Sequence, residues 1–268
     1  MRISSADILS RIEEALSAAA RVAGAFVSGS VKAERKADFS PVTEADRAID
    51  RILKRVLLRD GEGWLSEESA DSADRLACES VWVVDPLDGT QEFVQGIPEW
   101  CVSIGFTYRG KPFAGGIVNP ATGEVILGSA ESGVVYNGIP AQPTGRAHLK
   151  GAVVLASRSE VKRKEWERFS GNGFEVRPTG SVAYKLALVA AGKADATWTL
   201  SPKNEWDIAA GVALVEAGGG FTATLDGKTP TFNNKSPLLS GLIAGPAELR
   251  PEMEALLTLN LSASAAER

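Results

Sequence analysis

The stretch "VWVVDPLDGTQEF", residues 81–93, sets the tightest limit on how this chain can fold. Its apolar start reads as a buried strand, and that strand is expected to end at Asp85, just before a proline. Asp88, Gly89 and Thr90 then make a tight turn. Gly89 lets the backbone come close to a ligand, and a helix opening near Thr90 would aim free N–H groups at an anion. Two carboxylates at the mouth of a core are a costly arrangement unless they serve something. The plainer alternative is that Asp88-Gly89 is only a turn and Asp85 only a cap.

Other acidic positions repeat the pattern. Glu67 and Glu68 follow "GWL", and Asp207 sits in "NEWDIAAG". Each group lies at the end of an apolar run or the start of an expected helix, where open α/β sheets build their sites. Clustered carboxylates repel one another and should protonate or separate unless cations lie between them. Oxygen donors without histidine or cysteine favour Mg2+, with Mn2+ as a substitute, over zinc. Carboxylates beside an anion-binding turn form the layout of metal-assisted phosphoryl transfer to water.

The rest of the chain narrows the chemistry. The single histidine, His148, lies in the polar stretch "TGRAHLKG", away from every other motif, which disfavours Ser-His-Asp hydrolysis and histidine-ligated zinc. Cys78 and Cys101 are isolated and form no CxxC spacing. A net charge of -5 argues against a nucleic-acid polymer as partner, yet allows an anionic substrate if cations supply local positive charge. No apolar run approaches a membrane span and no signal pattern opens the chain, so the expected setting is the cytoplasm, with no membrane partner.

Periodicity predicts an amphipathic helix over residues 5–28, capped by Ser4 or Ser5. Pro41 should hold Ser40 extended, and Thr43 should open a second helix. From residue 81 strands dominate, with a hairpin around Arg109-Gly110-Lys111 followed by "EVILGSA" and "GVVYNG". After a loop at 137–150 the pattern alternates. The expected helices are 160–169, 181–191 and 206–217, followed by one apolar strand "PLLSGLIAG", a short terminal helix and a frayed tail "LSASAAER". Stacked layers of helix and sheet follow, an α+β or α/β fold richer in antiparallel hairpins in its first half. Two tightly packed lobes are expected, 1–140 carrying the metal-binding motifs and 141–268 more αβαβ in character.

"SPVTEAD", "LSEES", "DPLDGTQEF" and "EWDIAAGVALVEAGGG", in this order and spacing over nearly the whole chain, resemble the inositol monophosphatase superfamily of Mg2+-dependent, lithium-sensitive phosphatases. The resemblance implies a layered αβαβα sandwich of the inositol monophosphatase and fructose-1,6-bisphosphatase type. It implies two or three Mg2+ ions held by Glu67, Asp85, the Leu87 carbonyl, Asp88 and Asp207, with Glu68 behind them or on a third, weaker ion through water. It also implies that Thr90, paired with Asp46, orients and deprotonates the attacking water, and that the Gly89 and Thr90 N–H groups hold the phosphate. No phosphoenzyme is needed. By spacing alone, Asp46 is simply the fourth residue of a capping box opened by Thr43.

Within the superfamily, three features resemble the 3′(2′),5′-bisphosphate nucleotidase branch. These are Glu92-Phe93, the "GSVAYK" segment with Ser181 and Lys185, and "TWTLSPKNEWD". The last offers Thr199 or Leu200 where inositol phosphatases carry a glutamate, and adds Lys203. Lys185 is expected to meet a second phosphate, and Ser157 and Arg158 to contact the leaving group or an anion; either lysine could instead be a solvated surface charge. The expected reaction is hydrolysis of 3′-phosphoadenosine 5′-phosphate to AMP, with inositol 1-phosphate, histidinol phosphate or fructose 1,6-bisphosphate as alternative substrates. A second copy of the chain is an expected partner, since many relatives are dimers. A haloacid-dehalogenase-type phosphatase would need Asp-x-Asp, where this chain has Asp85-x-x-Asp88. A non-catalytic metal-binding protein would have no use for an Asp46–Thr90 pair.

Overall fold

The computed structural model describes residues 3–30, 32–35 and 41–266. It begins with α1 (Ser5–Ala23), whose Ser4 side chain accepts the Asp7 N–H. The helix stops at Gly24 rather than running to residue 28, and Phe26 reaches the core from the turn that follows. A short antiparallel pair, β1 (Glu34–Arg35) and β2 (Pro41–Val42), leads into α2 (Glu44–Leu57). Ser40 lies outside the described residues.

The first sheet follows: β3 (Gly63–Ser66), β4 (Ser80–Asp88), the short α3 (Thr90–Gln95), β5 (Cys101–Tyr108), β6 (Lys111–Asn119), β7 (Glu124–Ser129), β8 (Gly133–Tyr136) and β9 (Ile139–Ala141). Its seven strands lie in chain order; β3 and β4 are parallel and the rest antiparallel. The expected loop at 137–150 therefore contains a strand. The strand through residue 81 also differs from expectation, since it runs past Pro86 to Asp88. Between Asp85 and Asp88 its register against β5 shifts, because Asp85 faces Ser103 and Asp88 faces Cys101. Such a bulge accommodates a proline, which has no N–H to give to the ladder.

A second sheet is built from β10 (Val153–Ser157), β11 (Glu175–Thr179), β12 (Ala196–Trp198), β14 (Gly220–Ala223) and β16 (Ile243–Pro246). Its helices are α4 (Arg158–Lys162), α5 (Val182–Ala190), α6 (Glu205–Ala217) and α7 (Arg250–Ala266), and a small ribbon pairs β13 (Lys203–Asn204) with β15 (Leu238–Leu239). Three expectations change here. The charged helix at 160–169 breaks after Lys162, and Lys164 takes a positive φ of 63°. This turns Trp166 and Phe169 into the core, where Trp166 stacks on Trp198 at 4.7 Å. The strand "PLLSGLIAG" divides at Gly241 (φ 111°) between two sheets. The terminal helix is long, running through residues read as a frayed tail.

The layers alternate as an αβαβα sandwich. Along β4, Trp82 and Val84 pack with α1 and α2, whereas Val81 and Val83 face α5 and α6. Along β10, Leu155 joins that middle core while Val154 and Ala156 face Trp198, Leu249 and Met253. This two-residue period over strands covered on both faces explains why they read as unbroken apolar runs. Helix α6 is buried on most sides between the sheets. It sits close because Gly105 and Gly115 leave room: a Cβ there would come within 2.7 Å of Ala209 and 2.4 Å of Ala210. Among the described residues no helix is long and apolar enough to cross a membrane.

Candidate active site

Strand direction brings the first two carboxylates together. Parallel β3 and β4 pair Ser66 with Val84, and the Glu67 N–H donates to the Val84 carbonyl. Glu67 and Asp85 thus leave the same end of neighbouring strands. Helix α6, held against the sheet by the glycine gaps, adds Asp207 from its first turn. Carboxylate oxygens of Glu67, Asp85 and Asp207 lie within 4.8 Å of one another. At an effective dielectric constant of ~20, two full charges at that spacing repel by about 3–4 kcal/mol. Three such pairs together rival the ~5–15 kcal/mol that holds a whole domain folded. Ionising all three together is costly unless positive charge joins them.

The acid strengths follow. Asp85 is 1% exposed. Burial pushes its carboxyl well above the ordinary range, and the charges of Glu67, Asp88, Asp207 and Asp46 push further. Asp207 is raised first by burial and then by Asp88, while Lys203 works in the opposite direction. Asp88 stands beside the trio rather than within it. Its Oδ2 accepts the Ser181 hydroxyl and the Ala183 N–H, both at 2.6 Å, at the start of α5.

Two of the acids are aimed by the same local device. Asp46 and Asp207 are each the third residue of a helix, reaching back to the N–H before it: Thr43 at 2.8 Å and Asn204 at 2.9 Å. A capping box spends one oxygen and leaves the other to point elsewhere. For Asp46, Oδ2 also takes the Thr43 hydroxyl, while Oδ1 accepts the Thr90 hydroxyl at 3.0 Å. The helix-cap reading and the pairing with Thr90 therefore hold together, on different atoms. Thr90 Oγ1 also lies 3.1 Å from the Leu87 carbonyl, and one proton can serve only one of these acceptors. Gly89 begins α3 at φ 96°, and a Cβ there would press on Glu99 and Trp100 at 3.0–3.1 Å. Only glycine suits that turn.

The outlying candidates fare differently. Lys185, for which a solvated surface charge was one expectation, is instead buried. It is 1% exposed, its ammonium donates to the carbonyls of Ser181 (2.9 Å) and Thr179 (3.3 Å), and burial lowers its pKa to about 8. Ser181 is likewise occupied, giving its proton to Asp88 and accepting the Tyr184 N–H. Arg158, expected to help with an anion, is gripped by Glu99 through two guanidinium nitrogens. Ser157 caps α4 and shares a hydrogen bond with Ser159. Lys203 lies where its charge favours ionised Asp207. Thr199 is buried, bonded to the Leu242 N–H and the Ser201 carbonyl. Glu68 follows Glu67 with its N–H on the Ser66 hydroxyl. Sequence reasoning missed the Ala183 N–H and Glu99; only the Gly180-Ser181 pair before an apolar helix signalled that a cap stood there.

An oxygen-only donor set, with Asp85 buried and Glu67 and Asp207 partly exposed beside it, fits a hard divalent cation. Together with two stacked sheets in an αβαβα sandwich, it defines a class, the metal-dependent phosphatases. Within that class the chain belongs to the inositol monophosphatase family, whose model matches residues 8–259. It is 35% identical over 209 residues to an inositol-1-monophosphatase of Mesorhizobium japonicum, covering 73% of this chain and 76% of the relative. It is 32% identical over 218 residues to a fructose-1,6-bisphosphatase/inositol-1-monophosphatase of Thermotoga maritima, covering 78% and 82%. The solved structure of a Thermotoga maritima IMPase superposes with a TM-score of 0.83 at 27% identity, covering 96% of this chain and 99% of that one.

Proposed function

We propose that this enzyme hydrolyses the phosphomonoester of a small polyol, an inositol monophosphate foremost, with Mg2+ as cofactor and Mn2+ as substitute. The single observation that carries the reading is the convergence of Glu67, Asp85 and Asp207 within 4.8 Å, beside an Asp46–Thr90 hydrogen bond of 3.0 Å. Glu67, Asp85, Asp88, Asp207 and the Leu87 carbonyl would hold two or three ions. Bound there, divalent ions would lower the pKa of water and neutralise phosphate charge.

The chain's own groups supply the rest. Asp46 Oδ1, fixed by its helix cap, accepts the Thr90 proton and leaves the Thr90 oxygen free to accept one from an incoming water. If the Leu87 carbonyl is taken up elsewhere, Asp46 is the remaining acceptor for the Thr90 proton. The Gly89 and Thr90 N–H groups, at the start of α3, are the donors for phosphate oxygens. Glu67 completes the set of groups in contact with the reacting water.

A second reading, hydrolysis of 3′-phosphoadenosine 5′-phosphate, retains Lys203 beside Asp207 and the absence of a glutamate at Thr199 or Leu200. Lys185, which that reading sets against a second phosphate, is buried with its ammonium on the Thr179 and Ser181 carbonyls. Phosphate release from inositol 1-phosphate, 3′-phosphoadenosine 5′-phosphate, fructose 1,6-bisphosphate and histidinol phosphate, each with Mg2+, tests both. The inositol ester is expected to give the highest kcat/KM. Binding of Mg2+ with no phosphate released from any of the four would instead identify a non-catalytic metal-binding protein.

A further inference from the structure

Ser181 donates its hydroxyl to Asp88, and its backbone is strained: φ 53° and ψ 128°, a conformation that residues with a Cβ rarely adopt. Such strain persists only where surrounding groups overdetermine it. Lys185 holds the Ser181 carbonyl from below. From the other side Glu99 does the same work: its Oε2 accepts the Gly180 N–H at 2.7 Å, and Arg158 grips both carboxylate oxygens. Burial would raise the Glu99 carboxyl, but the Arg158 and Gly180 donors outweigh it and hold it below the ordinary value.

The backbone of Glu99 matters as well. Its carbonyl oxygen lies 3.0 Å from where a Cβ on Gly89 would stand and 2.6 Å from one on Gly180. The two glycine turns, one following Asp88 and the other preceding its hydrogen-bond donors, close on the same residue. Glu99 belongs to neither sheet, and it is where the turn after β4 meets the turn before α5.

We propose that Glu99, clamped by Arg158, is a positioning residue that seats the Gly180-Ser181 turn against Gly89 and thereby fixes Asp88 for the divalent cation. The inference deepens the phosphatase reading and rests on it for the role of Asp88. Outer partners of metal-binding carboxylates govern affinity by about 10–100-fold.

The test is calorimetric titration of Mn2+ into metal-stripped protein, beside Mg2+-dependent phosphate release and a melting curve. Glu99→Ala should weaken Mn2+ binding and raise half-saturating Mg2+ by about tenfold, with kcat at saturating Mg2+ within about threefold of the parent. Arg158→Ala should shift both constants the same way, and the double variant should be no worse than Glu99→Ala, because the two residues act as one unit. Should Glu99→Ala fail to fold, Glu99→Gln keeps the Gly180 acceptor, drops the charge that Arg158 grips, and should give an intermediate shift. Unchanged Mn2+ affinity in a folded Glu99 variant, or a lowered Tm with metal constants unmoved, overturns the proposal. Absence of phosphate release by the parent protein would sink the phosphatase reading instead, and the Mn2+ titration would still decide on Glu99.

Discussion

Strand β4 carries two buried acidic environments three residues apart, and they solve the same problem in opposite ways. Trp82 donates to Glu62 at 2.8 Å, and Glu62 also takes two nitrogens of Arg11 and the Arg59 N–H. Burial alone would raise the Glu62 carboxyl, but these donors together with the Arg11 charge hold it below 4.5. Asp85 accepts the Leu87 N–H and otherwise faces carboxylates, and its acid is driven up. A charge that the fold means to keep is given donors and a counter-ion; one placed among like charges is kept for a ligand.

That contrast can be broken by substitution. Asp85→Asn and Asp207→Asn should each cut phosphate release at least about a hundredfold, since several kcal/mol of metal assistance are lost. The metal-free melting temperature of Asp85→Asn should stay level or rise, because an isosteric neutral group removes repulsion. A drop of several degrees would mean Asp85 is stabilised by the protein after all. Glu62→Gln should do the reverse, with turnover at saturating Mg2+ retained while urea unfolding shows a loss of about 2–4 kcal/mol, the cost of taking the carboxylate charge away from buried Arg11.

Smaller effects sharpen the same line. Thr90→Ala should lower kcat about a hundredfold or somewhat less while leaving Mn2+ affinity within about threefold, as expected of a proton-handling group. Equal loss of metal affinity would move Thr90 to the ligand set. The pH dependence of stability should split as well. Glu62 contributes stability that is fully present above its ordinary 4.5 and is lost as pH falls through its lowered folded value. The raised acids Asp85 and Asp207 contribute stability that is fully present below 3.8 and is lost as pH rises through their folded values. Metal-free protein should therefore melt higher at mildly acidic than at neutral pH, by a margin that Mg2+ abolishes. Scanning calorimetry at two pH values with and without EDTA reads this directly.

How much of this was legible in the chain varied with how local the physics was. Thr43-x-x-Asp46 announces a helix start from four residues, and its acid came out aimed as a cap aims it. The matching box of Asn204 and Asp207 was not read from the sequence, which placed that helix at 206–217. The apolar run at 81–84 and the turn at Gly89 were equally plain. Lys185 was not, because nothing in "GSVAYK" says that α5 will be enclosed between two sheets, leaving the ammonium only backbone carbonyls to bind. The break after Lys162 depends on Trp198, more than thirty residues away, offering Trp166 a stacking partner. Glu99 escaped because its partners, Arg158 and Gly180, come from the other sheet's connections. Carboxylate placement was written in local motifs; the groups that hold the carboxylates were not.

The most direct test is calorimetric titration of Mn2+ into EDTA-stripped protein near neutral pH, repeated in buffers of different ionisation enthalpy. Acids that are partly protonated for want of a cation must release protons when one binds. Tight binding coupled to net proton release, lost in Asp85→Asn, is the expected result. Binding without proton release, or the same release from the Asp85 variant, would contradict it.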